Sequence, residues 1–383
     1  MNLTELQSKT IDYIRFPLAV LVVFIHSSQT EVSMQSIDYS SLTGGDVYNI
    51  LTIIFSKTIA LIAVPLFFTI SGFLFFLSIK QWSKHEYFKK LKNRIKTLLV
   101  PYLVWNAIVL LLALCRAIYV YYTTGEVNHL LEQLSSVWGW IKPFWNQAYF
   151  GPATNAIGQE FYITYPYNGP FWFIRDLIGM CLVSPLIYLI ARYAKIWGLI
   201  ILAAALYTNI WLHVPGFGIE AFFYFTLGAY LSIHKKNIVE QVAKIRVPSC
   251  IICLIAFLLC TYGIPQGLLP FEIPYKASIL LFILSGGISI INIVAWLLSK
   301  GKIEVNPVLA KSSFMIFAAH GLALGAIGPF FHKFFNRDYI VLAALDFFLF
   351  PIFVSLVLVA LYYIVTRYFP RLSMLLVGSR GKK

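Results

Sequence analysis

Charge is what this sequence has least of: Asp, Glu, Lys and Arg make up 12% of its 383 residues, while 59% are hydrophobic. So few charges cannot cover a water-exposed surface, and a mean hydropathy of +0.77 excludes a soluble globular protein. Negative charge is scarcer still, with 16 Asp and Glu against 30 Lys and Arg. In a soluble chain the net +14 could mark a nucleic-acid partner. In a membrane chain its first meaning is topology, and no nucleic acid is implied. Cysteine is also sparse, and five residues scattered through apolar segments build neither a disulfide framework nor a metal site. Cys250 and Cys253 form C-x-x-C within an apolar span, with no electropositive setting, and read as packing residues. Transporter-type internal repeats, low-complexity tracts and a soluble domain are all missing. The longest polar interval, 123–169, is itself aromatic (Trp138, Trp140, Trp145, Tyr149, Phe150, Tyr162) and reads as an ordered extracytoplasmic loop near the membrane interface.

What is present is a series of apolar runs. A helix needs about 20 such residues to cross a bilayer. Runs broken at charge clusters, Pro and Gly fall at 11–30, 48–79, 95–122, 170–192, 196–213, 217–234, 248–264, 276–299, 312–332 and 339–366. The fold class is therefore an all-α integral membrane protein of about ten transmembrane helices, a single domain over 1–383. With a cytoplasmic N-terminus the C-terminus returns to the same side. Lys9, the run Lys80–Lys96, Arg192, Lys195, Lys235, Lys236, Lys244, Arg246, Lys300, Lys302, Lys311 and the five cations from Arg367 to Lys383 then all lie in the cytoplasm. Opposite them stand only Lys142, Lys276, Lys333 and Arg337. That bias follows the positive-inside rule in every hairpin. Reading the first run as a cleaved signal peptide would reverse it, and no small-residue cleavage site follows His26.

Ionisable groups inside spans are functional candidates by default. Arg15 and His26 are eleven residues apart, which on a helix is about 16 Å of rise and an offset of about 20°. Both face one side of the bundle. Arg15 can grip a phosphate or carboxylate, and a neutral His26 can take a proton from a hydroxyl. A snorkelling Arg and an interfacial His are the plainer alternative. Pro65, Ser71 and Gly72 share one span, where Pro65 predicts a kink and Gly72 a close helix approach. Lys89, Lys90, Lys92, Arg94 and Lys96 can anchor topology, bind anionic lipid or dock a polyanion, and Arg94 stands where the helix enters the bilayer. Arg175 and Asp176, about 100° apart on a helix, are expected to seek separate partners around a polar cleft or in a salt bridge to another span. His320 is either a bundle histidine or a site residue, and Gly321 with Gly325 predicts a close-packed helix face. Glu220 and Asp346 read as interfacial carboxylates. Gly216-Phe-Gly218 mimics a dinucleotide motif in letters, but no strand precedes it and no sheet is expected.

These motifs together resemble the membrane acyltransferase-3 family, which includes bacterial surface-polysaccharide O-acetyltransferases. The resemblance covers the whole chain. It rests on Asp12-x-x-Arg15 before His26, Pro65-Leu66-Phe67-Phe68-x-x-Ser71-Gly72-Phe73, Arg94 with Pro101-Tyr102 and Trp105-Asn106, Gly169-Pro170-Phe171-Trp172-Phe173-Ile174-Arg175-Asp176, and His320. The family's Arg-x-x-Arg element is here Lys-rich with Arg94 alone, and Phe317 replaces a common tyrosine. The resemblance implies transfer of an acyl group, typically acetyl, from cytoplasmic acyl-CoA as co-substrate to an outward-facing hydroxyl. The acceptor would be a glycan, a lipid-linked sugar or a small hydroxylated molecule. It implies a bacterial inner-membrane location and no tightly bound cofactor. His26 and Arg15 then become catalytic candidates, Arg94, Ser71 and His320 acyl-donor contacts, and Trp172, Arg175 and Asp176 acceptor-side residues. His26 would act as general base or as an acylated nucleophile. The rival reading is a transporter or exporter of a lipid-linked or anionic solute, for which inverted repeats would be expected.

Overall fold

A computed structural model describes residues 2–28, 37, 39–79, 81–263 and 272–378, with the backbone alone at 148–150, 263 and 272–274. Lys80, Arg380, Lys382 and Lys383 of the charge census, and the side chains of Tyr149 and Phe150, lie outside the described residues. The helices of the first third are α1 (Leu3–Ser27), α2 (Gly44–Leu51), α3 (Ala63–Leu77), α4 (Lys84–Arg94) and α5 (Val100–Thr124). After α6 (His129–Gln133) and α7 (Val137–Ile141) come two antiparallel strands, β1 (Ala148–Thr154) and β2 (Glu160–Tyr165). Then follow α8 (Trp172–Leu182), α9 (Ser184–Leu189), α10 (Lys195–Thr208), α11 (Ile219–Ile233), α12 (Ile238–Ala243) and α13 (Arg246–Leu258). The chain closes with α14 (Glu272–Ser299), α15 (Pro307–Phe331), α16 (Ile340–Tyr368) and α17 (Pro370–Val377).

Within the described residues each predicted apolar run contains helix, though 209–213 of the fifth run is not helical and 29, 30 and 264 lie outside the described residues; seven helical stretches there are long and apolar enough to cross a bilayer. Helices suit that solvent because their backbone groups bond within the segment. Side chains such as Leu111, Leu112, Tyr119, Trp197, Ile201, Ile251 and Leu254 are exposed, an arrangement that fits hydrocarbon rather than water. One long stretch, Ser184–Thr208, is not a straight rod. Lys195 takes φ 52°, and a Cβ placed on Gly198 would lie 2.7 Å from Ile190 Cγ2. Eight residues of straight helix would separate them by about 12 Å. The chain turns back between Arg192 and Lys195, where the sequence places a loop.

Two compact units emerge. The first joins residues 1–77 to 230–364. Its α1 packs along α15, α14 and α3, and Phe24, Tyr48, Ala343 and Phe347 form a buried cluster with Phe55 and Phe348 against it. Asn306 caps α15 ahead of Pro307, satisfying the Val308 and Leu309 amides. The Gln7 side chain accepts from Ile238 N at 2.7 Å, fixing the start of α12 to α1. The second unit joins 78–229 to 365–383. Here the hairpin, α6 and α7 fill the aromatic loop, and α17 docks on α5 through a Trp105 Nε1 bond to the Leu376 carbonyl of 2.9 Å.

Three expectations are corrected. The chain carries a two-stranded sheet, because 148–165 lies outside the apolar runs, where backbone groups pair between strands instead of along a helix. Pro65 makes no kink: it is the third residue of α3, where a missing N–H is tolerated. The irregularity lies upstream, in a π turn at Thr52–Ser56 and a 3-10 turn at Ile59–Ile62. There Thr58 Oγ1 donates back to the Ile53 carbonyl at 2.9 Å, in competition with the helical ladder. Finally, Gly321 and Gly325 face open space, with nothing within 4 Å of an added Cβ. Close approach is made elsewhere, by Gly44 against the Arg337 carbonyl and by Gly179 against that of Gly216.

Candidate active site

In the first unit, the packing of α1 on α15 brings His26 beside His320, with ring centroids 5.0 Å apart. His26 is half-buried in the last turn of α1, whereas His320 is fully buried at 0% exposure. His320 Nδ1 lies 2.7 Å from the Phe317 carbonyl oxygen. A carbonyl only accepts, so Nδ1 carries the proton, and in the neutral ring Nε2 keeps its lone pair. That Nε2 is buried with no hydrogen-bond partner among the described residues. The contact uses the backbone of residue 317, so it is independent of the Phe that stands there.

Arg15 and His26 belong to one continuous helix, as their spacing requires. Arg15 Nη1 donates to Asp12 Oδ1 at 2.8 Å, an i,i+3 pair on a half-buried face. Ser71 is half-buried on α3 in the same unit. Asp346, read from sequence as interfacial, is instead 0% exposed and carries a local network. It accepts from His332 Nδ1 at 2.8 Å and from Arg337 Nε at 2.6 Å, while the Arg337 guanidinium lies 4.3 Å from the Tyr48 ring centre.

The second unit holds Arg94, Trp172, Arg175 and Asp176. Contrary to expectation, Arg175 and Asp176 pair directly: Nε and Nη2 each lie 2.9 Å from Asp176 Oδ1. The angle between adjacent Cβ directions does not bound where a long guanidinium stem ends, and Arg175 lies in the first turn of α8, where its side chain can curl out of the helix. Each also has a second attachment. Arg175 Nη1 donates to the Trp145 and Thr164 carbonyls at 3.0 and 2.8 Å, and Asp176 Oδ2 accepts from Gly218 N at 3.3 Å. Both side chains are about 95% buried (5% and 4% exposed). The pair pins the hairpin and the 214–218 turn to α8.

Trp172, Arg175 and Asp176 line a cavity of about 310 Å³ together with Glu220, Trp211 and His213. Burial pushes the Tyr165 phenol up, against the opposing pull of Arg175, so it faces this cavity as a neutral hydroxyl. Glu220 is the residue that sequence reasoning placed least well; its signal was a lone carboxylate two residues after Gly218. A separate recess of about 470 Å³ is lined by Ser78, Gln81, Glu86, Lys89, Lys90 and Asn93. Lys90 Nζ donates to Ser78 Oγ at 2.6 Å there, and Arg94 follows half-buried at the end of α4.

Comparison with known proteins supplies the chemistry. A family model described as an acyltransferase domain matches residues 8–374. Over 343 residues the chain is 26% identical to the succinoglycan biosynthesis protein ExoH of Rhizobium meliloti (strain 1021), covering 86% of this chain and 82% of that protein. No solved structure matches. With apolar helices throughout and a family match spanning nearly its whole length, this chain belongs to the membrane acyltransferase family of multi-pass, acyl-transferring enzymes.

Proposed function

We propose that the protein is an O-acyltransferase of the bacterial inner membrane, with about ten spans, both termini cytoplasmic and 123–169 as its outward-facing loop. It moves an acyl group, acetyl in the simplest case, from cytoplasmic acyl-CoA to a hydroxyl of a carbohydrate acceptor. The biosynthetic role in the name of the Rhizobium relative supports a polysaccharide or its lipid-linked precursor as that acceptor. The observation that carries the reading is the His26–His320 pair, two imidazoles 5.0 Å apart within a unit of apolar helices.

In this reading His26 takes the proton as the acceptor oxygen attacks the thioester carbonyl. The new C–O bond forms, the C–S bond breaks, and the imidazolium returns the proton to the departing thiolate. The products are the acyl ester and free coenzyme A. His320, buried against His26, holds that ring in place, and Ser71 and Arg15 lie on the donor's path. The lysine-lined recess and Arg94 suit the donor's phosphates, as guanidinium and ammonium groups do. Trp172, Arg175 and Asp176 belong to the acceptor side.

The test is radiolabelled acetyl-CoA supplied to membrane vesicles of known orientation. Label should enter a glycan fraction with the wild-type protein and not with His26→Ala. Equal incorporation by a correctly inserted His26→Ala protein would overturn the assignment. Acetyl-CoA presented only on the outward face should give no label.

A further inference from the structure

The cavity beside α8 contains a carboxyl group that the proposed chemistry does not use. Glu220, the second residue of α11, lines it and among the described residues makes no hydrogen bond or ion pair. Its charged neighbours differ, since Arg175 and Asp176 spend their groups on each other, on Trp145 and Thr164, and on Gly218. Glu220 thus keeps its hydrogen-bonding capacity for an occupant. A carboxylate left without a donor when a ligand displaces its water costs about 1–3 kcal/mol, so a ligand that fills the cavity must bring O–H or N–H groups.

The walls narrow the choice. His213 stacks flat on Phe161, with centroids 3.7 Å apart and planes 4° from parallel. Trp211 is locked by its Nε1 bond to the Phe217 carbonyl at 2.8 Å, and Trp172, the left-handed Asn209 (φ 56°) and aliphatic residues such as Leu206 and Leu212 also line the cavity. Flat apolar faces beside polar edges match a sugar ring, whose C–H faces lie on aromatics while its hydroxyls meet polar groups. A volume of about 310 Å³ is at the small end for ligand sites, which suits one ring. Two carboxyl groups against one guanidinium along the cavity wall also disfavour a third acid.

We propose that this cavity is a subsite for one uncharged sugar ring of the acceptor, and that Glu220 selects that ring by accepting hydrogen bonds from a pair of its hydroxyls while turning acidic sugars away. The inference rests on the acyl-transfer reading only in calling the ring part of the acceptor.

The test uses the full chain purified in detergent, with tryptophan fluorescence reporting binding of the methyl glycosides of glucose, galactose, mannose, N-acetylglucosamine and glucuronic acid. At least one neutral glycoside should bind and the glucuronide should not. Glu220→Gln should weaken the neutral glycoside at least about tenfold and narrow its advantage over the glucuronide, and Glu220→Asp should fall between. No binding of any neutral glycoside, equal binding of the glucuronide, or wild-type affinity in Glu220→Gln overturns the proposal. Transfer from acetyl-CoA is measured on the same preparations. Intact transfer without glycoside binding removes the subsite alone, whereas glycoside binding without transfer removes the acyl-transfer reading and leaves the subsite standing.

Discussion

At the scale of single residues, one histidine and one ion pair make distinct predictions. Replacing His26 by Ala should lower acyl transfer about 10²- to 10⁴-fold, the usual worth of a general base, with little change in thermal stability because the ring is only half-buried. Transfer rates and melting curves on the same preparation check both halves. Arg175→Ala should instead destabilise by about 3–5 kcal/mol, since it strands the Asp176 carboxylate in a site that is 4% exposed. Arg175→Lys should rescue little, because one ammonium cannot reach Asp176, Trp145 and Thr164 together. Fluorescence-detected melting in detergent would read both. The spacing of Arg15 and His26 was legible in the sequence because a helix fixes azimuth. The Arg175–Asp176 contact was not, since azimuth constrains Cβ and not the end of a flexible stem. Glu220 was read only as an interfacial carboxylate because its setting is made by Trp172, Trp211 and His213, which lie 7 to 48 residues away in the chain.

At the scale of elements, glycine pattern and glycine use diverge. Gly321 and Gly325 have the spacing of a helix-packing face, yet both look into open space. Gly321→Ala should therefore be tolerated or stabilise by about 0.5–1 kcal/mol, since a mid-helix glycine only forfeits backbone entropy. Gly44→Ala should behave oppositely. Its Cβ would overlap the Arg337 carbonyl, whose loop is held by the Arg337 bond to Asp346, so a loss of about 1–3 kcal/mol is expected from overpacking. Paired melting temperatures would check the contrast, which turns on whether the opposing atoms can move. The positions of the apolar helices were readable from hydropathy, because length and apolarity are written locally. Which face of each helix meets a neighbour was not, because a face that meets lipid and a face that meets protein are both apolar.

At the scale of the whole molecule, the proposed topology makes every loop a measurement. Reporter fusions after Ser83, Lys195, Lys236 and Lys302 should register as cytoplasmic, and fusions after His213 and Phe335 as external. A cytoplasmic signal at His213 would mean that the turn at Lys195 does not separate two crossings. The positive charges supply the bias: neutralising Lys89, Lys90 and Lys92 together should raise the share of inverted molecules, as a protease-protection assay would report.

The bond between the Trp105 indole and the Leu376 carbonyl has a consequence for how the chain is made. The second unit begins at Ser78 but draws its last piece from residues 365–383, so it is interrupted by more than a hundred residues of the first. While the ribosome is still synthesising those intervening segments, α5 waits in the membrane with the groove for α17 open and the indole N–H of Trp105 without its acceptor. Completion of the second unit therefore waits until the whole of 230–364 has been made, and a nascent chain halted before Val377 would present that open groove to the quality-control machinery of the membrane.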